Sequence, residues 1–341
     1  MRGFLKNLSL RFLDPLYYFF ALLSALSPKL SKGVASALAY TLGLATRASY
    51  SKPRTVSLRV NGTRFRLFLP ERHKHAQQEY TRLASDDAVY EPVNIALLTR
   101  LLGHLGNPSF MDIGAFMGYF ACYVSSFLGG RVDVYAVESN PQFCEAVRRS
   151  ARLNGFPKLR VHNVALSEGH ELVAIRDVTV LSAPGNRFGM RRNIVHAMPL
   201  DELCEREALH PNIVKMDVHG AEGKVLRGMR QVLRTSVQFL LLEMHPVNLL
   251  KRYSAGISRE EMLSLLEDCG FTSFHVAGLR YPSSDGLRPL ETGSFSYRPI
   301  TPETRSLLLF DRRLDILILA SKFHDIESII GSSIEDPSLS W

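Results

Sequence analysis

Hydrophobic positions along this chain recur first at every second residue and then at a longer period. Val56-Ser57-Leu58-Arg59-Val60 alternates, Asn61-Gly62 supplies a type I′ turn, and Arg64-Phe65-Arg66-Leu67-Phe68-Leu69 alternates back to Pro70. This predicts a hairpin over Thr55–Leu69. A polar helical stretch over Lys74–Ala84 follows, and Val93, Leu97, Leu98, Leu101, Leu102 and Leu105 repeat at helical spacing until Gly106-Asn107-Pro108 breaks the pattern. From there strands and helices take turns. Strands are expected at Phe110–Ile113, Val132–Val137, Leu159–Asn163, Ile213–Val218 and Val237–Met244, with helices at Tyr119–Phe127, Pro141–Asn154 and Glu222–Arg234. Ser258–Cys269 reads as a helix with an acidic first turn and Gly270 just past its end, followed by strands at Phe271–Ala277 and Asp315–Ala320. Val132–Val137 is continuously apolar, as strands buried on both faces are. The alternation predicts an α/β fold with a doubly wound, mainly parallel sheet.

Ahead of the hairpin the pattern is different. Two apolar runs, one within Leu13–Leu26 and one over Val34–Ala45, are separated by Pro28-Lys29, Lys32 and Gly33. Each is shorter than the roughly 20 residues a spanning helix needs, and neither has the cleavage pattern of a secretory signal. Residues 1–54 hold eight basic side chains (Arg2, Lys6, Arg11, Lys29, Lys32, Arg47, Lys52, Arg54) against Asp14 alone, a net +7 out of +8 for the whole 341-residue chain. The body is therefore nearly neutral, which argues against a reader of nucleic-acid backbones. A basic apolar helical segment fits the surface of an anionic membrane, and packing on the protein itself or a partner copy is the competing use.

Composition adds little except compartment. With 46% hydrophobic and 22% charged residues the chain is an ordinary globular protein. Cys122, Cys144, Cys204 and Cys269 match no zinc or CxxC spacing, so free thiols and a cytoplasmic location are expected.

The candidate chemistry begins at Asp112-Ile113-Gly114-Ala115-Phe116-Met117-Gly118. A strand, a glycine turn and a helix N-terminus in succession form a nucleotide-type site. Gly114 permits the sharp turn, and Gly118 is expected to let the backbone approach a ligand. Asp112, at the carboxyl end of the strand, suits a cofactor bearing an ammonium and a sulfonium and would repel a pyrophosphate. Phe116 stands where a dinucleotide fingerprint needs glycine. Glu138 closes the next strand, in the position from which a carboxylate accepts ribose hydroxyls.

These residues, with Val134–Pro141, Asn163-Val164-Ala165-Leu166-Ser167, Leu200-Asp201-Glu202-Leu203, Val214–Glu222 and Leu240–His245, resemble the ordered blocks of FkbM-type methyltransferases over about Tyr90–Pro246. The resemblance implies a Rossmann-like class I methyltransferase using S-adenosylmethionine (SAM). It also implies O-methylation of a hydroxyl on a small-molecule, glycan or lipid-linked acceptor such as a sugar, glycolipid or natural product. It places Asp112, Gly114, Ala115 and Gly118 along the methionine part of the cofactor. Glu138 would hold the ribose with Ser139 and Asn140 beside it, and Asn163, Val164 and Ala165 would lie near the adenine. His219 stands where the family usually has glutamate. The pattern along the chain gives an expected organisation of a segment at 1–54, a hairpin and helical lead-in at 55–105, a SAM-binding domain at 106–322 and a tail at 323–341. Residues 279–310, carrying Tyr281, Arg288, Tyr297 and Arg298, are expected as an insertion over or near the acceptor site, with a surface excursion lacking a substrate role as the competing reading.

Asp217, His219, Glu243 and His245 end two adjacent strands and are the candidates for handling the acceptor's proton. Either histidine is a candidate base, because its ordinary pKa of roughly 6.5 suits neutral pH. The same four groups are an alternative ligand set for a divalent metal; proton handling without a metal is the reading taken here. A non-catalytic SAM-binding protein held at a membrane or in a complex is the alternative to an enzyme.

Overall fold

The computed structural model describes residues 52–71, 73–176, 192–254, 256–280, 282–283, 286–287, 298–302, 305 and 315–330. The apolar runs before residue 52, and Tyr281, Arg288 and Tyr297, lie outside these residues, as does the side chain of Arg298. The chain divides into two compact units, residues 1–53 with 71–74, and residues 54–70 with 75–341. The second carries the sheet and the site.

Strands β1 (Arg54–Val60) and β2 (Thr63–Leu69) form the expected hairpin, with Asn61 and Gly62 both at positive φ as a type I′ turn requires. One hairpin face, Val56, Leu58, Val60, Phe65, Leu67 and Leu69, is buried. Helices α1 (Lys74–Asp86) and α2 (Pro92–His104) follow, the latter opening on Pro92. The core unit then runs β3 (Phe110–Ile113), α3 (Tyr119–Phe127), β4 (Val134–Glu138), α4 (Pro141–Asn154) and β5 (Leu159–Asn163). β2 lies along α4 with its edge satisfied by side chains. The Asn154 amide donates to the Arg66 carbonyl and accepts the Arg66 N–H, while the Phe68 N–H donates to Ser150 Oγ. These bonds replace a third strand.

Three short strands, β6 (Ala165–Leu166), β7 (Glu171–Arg176) and β8 (Arg192–Met198), form a separate small sheet that the alternation did not predict. After α5 (Leu200–Glu207) and β9 (Ile213–Met216), the single helix expected over Glu222–Arg234 is two, α6 (Glu222–Arg227) and α7 (Arg230–Thr235). The break has a tertiary cause. The Gly228 carbonyl accepts the Asp201 N–H, and the Asp201 carboxylate caps α7 through the N–H groups of Gln231 and Val232. β10 (Phe239–Met244) leads through a short helix, α8 (Val247–Tyr253), to α9 (Arg259–Asp268), whose Ser258 and Glu261 form a capping box. β11 (Ser273–Arg280), β12 (Pro282–Ser283), β13 (Gly286–Leu287), β14 (Arg298–Pro299), β15 (Asp315–Ser321) and α10 (Ile326–Ile330) complete the described residues.

The main sheet has the order β14-β11-β15-β10-β9-β3-β4-β5. β5, β4, β3, β9 and β10 are parallel, and β15 is inserted antiparallel between β10 and β11. Side chains of each central strand point alternately into two cores. Phe110, Val134, Ala136, Phe239 and Leu241 join α2, α3 and α4 on one face, whereas Met111, Tyr135, Val137, Leu240 and Leu242 join α5 to α9 on the other. Burial on both faces is why these strands read as largely apolar runs. The strand order reverses between β3 and β9, whose carboxyl ends open a crevice of the kind that binds ligands in such sheets. No helix among the described residues is long and apolar enough to cross a membrane, and the four cysteines are free and buried.

Candidate active site

At that crevice lies a cavity of about 330 Å³, within the range of small-molecule sites. One side is the turn after β3 and the end of β4, from Gly114, Ala115 and Phe116 to Glu138, Ser139, Asn140 and Phe143. The other side is built by Lys215, Asp217 and His219 after β9, with Tyr80, Tyr90, Glu91 and Tyr119 from the lead-in and α3.

Gly114 sits at φ 80°, and a Cβ there would run into the Asp217 main-chain carbonyl. The glycine is thus what lets β3 and β9 close together at the crevice. Phe116 occupies a left-handed conformation at φ 49°. Its N–H donates to Glu138 Oε2 at 2.8 Å and its ring meets Phe143 edge-on at 4.6 Å. Glu138 Oε1 accepts the Asn140 N–H at 2.7 Å and lies 3.3 Å from Ser139 Oγ. Burial pushes the Glu138 carboxyl pKa up, and these donors oppose it. Two oxygens held by backbone donors keep free lone pairs toward the cavity, so the carboxylate is oriented before any ligand arrives.

Several expected contacts lie elsewhere. Gly118 approaches α4 and not the cavity: its φ is 78° and a Cβ would meet the Val147 methyls at 2.9 Å. Asn163 clamps the end of β4, donating to the carbonyls of Glu138 and Ser139 at 3.0 and 2.9 Å. Asn163, Val164 and Ala165 are not among the lining residues. Asp112 also lies off the cavity wall and is 1% exposed. Burial raises its pKa to about 6 against the pull of Lys215. A carboxyl whose folded pKa exceeds its unfolded value of about 3.9 costs stability as pH rises between the two. Asp112→Asn is therefore expected to raise the unfolding free energy by about 1–3 kcal/mol at pH 8 and by little at pH 4. Urea titrations of both proteins at the two pH values check this.

Asp217 is the hub of the charged groups. Its Oδ1 lies 3.0 Å from His219 Nδ1 and 3.7 Å from His245 Nε2, and its Oδ2 lies 3.7 Å from Lys215 Nζ. Burial works against the charged carboxylate, but the Lys215 ammonium and the bond to His219 outweigh it and hold the pKa well below the usual range. Lys215 is buried with its ammonium 4.7 Å over the Phe120 ring. Neither Lys215 nor the tyrosines were singled out in the sequence. A buried lysine within a strand that ends in aspartate was the available signal.

The two histidines separate in role. His245 is 8% exposed at its side chain, with Nδ1 2.8 Å from Glu222 Oε1. Burial disfavours its charge, but the Glu222 bond and the neighbouring carboxylates raise its pKa to about 10. The raised pKa favours the imidazolium at neutral pH, which weighs against His245 as the base. Glu222 also accepts the Gly220 N–H at 2.9 Å. His219 is 64% exposed at its side chain, lines the cavity and sits in a left-handed conformation at φ 54°. Its hydrogen bond to Asp217 raises its pKa. Glu243 is buried and off the cavity wall. Asp217, His219 and His245 place one potential ligand atom each within 4.8 Å of one another, as do Glu91, Asp217 and Glu243. Lys215 and His245 both lie 3.7 Å from the Asp217 carboxylate.

Residues 112–273, from the glycine turn to the start of β11, match the model of the methyltransferase FkbM domain. This segment is similar to the FkbM methyltransferase domain. The hexuronic acid methyltransferase AglP of Haloferax volcanii is 29% identical over 164 residues, which are 46% of this chain and 60% of that protein. The chain thus spans less than two thirds of the curated relative it matches. Among solved structures, the methyltransferase FkbM of Methylobacillus flagellatus superposes with a TM-score of 0.36 at 18% identity, over 64% of this chain and 45% of that one. A SAM-dependent methyltransferase of Agrobacterium tumefaciens gives 0.40 at 12% identity, over 79% and 71%. The FkbM domain begins at Asp112, so Tyr80, Tyr90 and Glu91 reach its crevice from outside the matched segment.

Proposed function

We propose that this chain is a SAM-dependent methyltransferase that transfers a methyl group to a sugar hydroxyl. The observation that carries this is one cavity joining the glycine turn and the oriented Glu138 carboxylate to the Asp217–His219 pair. The FkbM domain and the sugar-modifying relative support the same reading.

The cavity fits the cofactor by shape and donors: Gly114 leaves the turn open, Glu138 offers lone pairs suited to ribose hydroxyls, and Phe116 and Phe143 give an apolar wall. SAM would supply an electrophilic methyl on its sulfonium. The rest falls to the chain. His219 stands at the rim with its Nδ1 on Asp217, which fixes the ring and leaves Nε2 to accept the acceptor hydroxyl's proton. Asp217, kept ionised by Lys215, then stabilises the imidazolium that forms. His245 and Glu222 brace Asp217 from behind. Holding the hydroxyl in line is the larger contribution, since a well-oriented pair gains several kcal/mol from proximity. The net +7 of residues 1–54 supports a peripheral contact with an anionic membrane.

Calorimetry with S-adenosylhomocysteine (SAH) tests the cofactor half. Wild-type protein is expected to bind, and Glu138→Ala to bind about 30-fold or more weakly, the loss of charge-assisted bonds to two hydroxyls. Absence of wild-type binding would sink the reading. Labelled-methyl transfer from SAM to glycan extracts tests the acceptor half.

A further inference from the structure

Tyr80 comes from α1, and Tyr90 and Glu91 from the residues just before α2, yet they line the same cavity as the FkbM glycine turn. Their placement is specific. Tyr80 stacks on Tyr119 at 5.9 Å, and Tyr90 meets Tyr119 edge-on at 5.5 Å while its N–H donates to the Tyr119 hydroxyl at 3.1 Å. Tyr80 is 3% exposed and lines the cavity. Glu91 precedes Pro92 in a left-handed conformation, φ 46° and ψ 66°, which places its carboxylate beside the Asn94 amide. One oxygen of Glu91 lies within 4.8 Å of one of Asp217. Two carboxylate oxygens at that separation are within reach of O–H donors placed between them.

We infer that Tyr80 and Glu91 form the acceptor subsite and select a neutral pyranose over a hexuronate. The inference rests on the methyltransferase reading and deepens it. A pyranose brings O–H donors for Glu91 and Asp217 and C–H faces for the tyrosine wall, and the Tyr80 phenol is a donor for a ring or hydroxyl oxygen. A hexuronate would bring a third negative charge beside two carboxylates. The cations among the described lining residues are Lys215, already beside Asp217, and His219.

The test is ligand-observed NMR on the full chain saturated with SAH. Its probes are methyl α-D-glucopyranoside, methyl α-D-mannopyranoside, methyl α-D-galactopyranoside and D-glucuronate. At least one neutral pyranoside is expected to bind. Glu91→Gln and Tyr80→Phe should each weaken it about tenfold, and glucuronate should bind about tenfold more weakly than the best pyranoside. SAH affinity in both variants should stay within about twofold of wild type, which also reports that they fold. Binding of none of the pyranosides, equal binding of glucuronate, or pyranoside binding indifferent to both substitutions would overturn the subsite with the cofactor reading intact. Failure of wild-type protein to bind SAH would overturn the methyltransferase reading, and the subsite with it.

Discussion

Gly114→Ala is expected to destabilise the protein by about 2–5 kcal/mol and to abolish SAH binding. Two costs add. At φ 80° an alanine is strained by about 1–2 kcal/mol. Its Cβ would also enter the space of the Asp217 carbonyl, and relief requires β3 and β9 to part where the Asp217 N–H donates to the Ile113 carbonyl at 3.0 Å. Parting them opens the crevice floor and moves Asp217 from Lys215 and His219. Gly155→Ala separates the two costs, because Gly155 has φ 66° but open space around its missing Cβ. It should lose only about 1 kcal/mol and bind SAH normally. Urea unfolding and calorimetry on both variants measure this. Equal destabilisation by the two would mean that the clash is relieved cheaply.

His245→Leu is expected to cost about 3–5 kcal/mol at pH 7, because it strands the fully buried Glu222 carboxylate without its counter-charge. Adding Glu222→Gln, which keeps an acceptor for the Gly220 N–H, should recover at least about half of that loss. The pH dependence has a definite sign. The folded pKa of about 10 lies above the unfolded value of about 6.5, so the imidazolium's stabilisation is fully present below pH ~6.5 and is lost as pH rises toward about 10. The gap between wild type and the double variant should therefore narrow from pH 6.5 to pH 10. A gap constant across that window would show that His245 is neutral in the folded protein.

Which parts of this were legible in the chain depends on the range of the interaction. The type I′ turn at Asn61-Gly62 and the glycine turn at Gly114 are set by residues adjacent in sequence, so their patterns predict them. The central parallel strands were readable because burial on both faces leaves few polar positions. The break at Gly228 was not, since it depends on Asp201 reaching across to α7 from another helix. The β7–β8 pair was missed because its strands lie on a small outer sheet. Leu172 and Ile194 there are 73% and 69% exposed, which blurs the alternation.

The same division runs through the site. Glu138, Asp217 and His219 were identifiable from their places at strand ends, and all three line the cavity. The sequence by itself determined the strand–turn–helix chemistry of the FkbM segment, because a few contiguous residues dictate it. Only the tertiary structure decided which groups meet. It brought Glu222 onto His245 across 23 residues and so raised the pKa of that ring. It brought Lys215 under Asp217, and Tyr80 and Glu91 into a crevice whose glycine turn lies more than 20 residues further along the chain. Protonation states and pocket walls follow from burial and through-space charge, which local sequence does not encode.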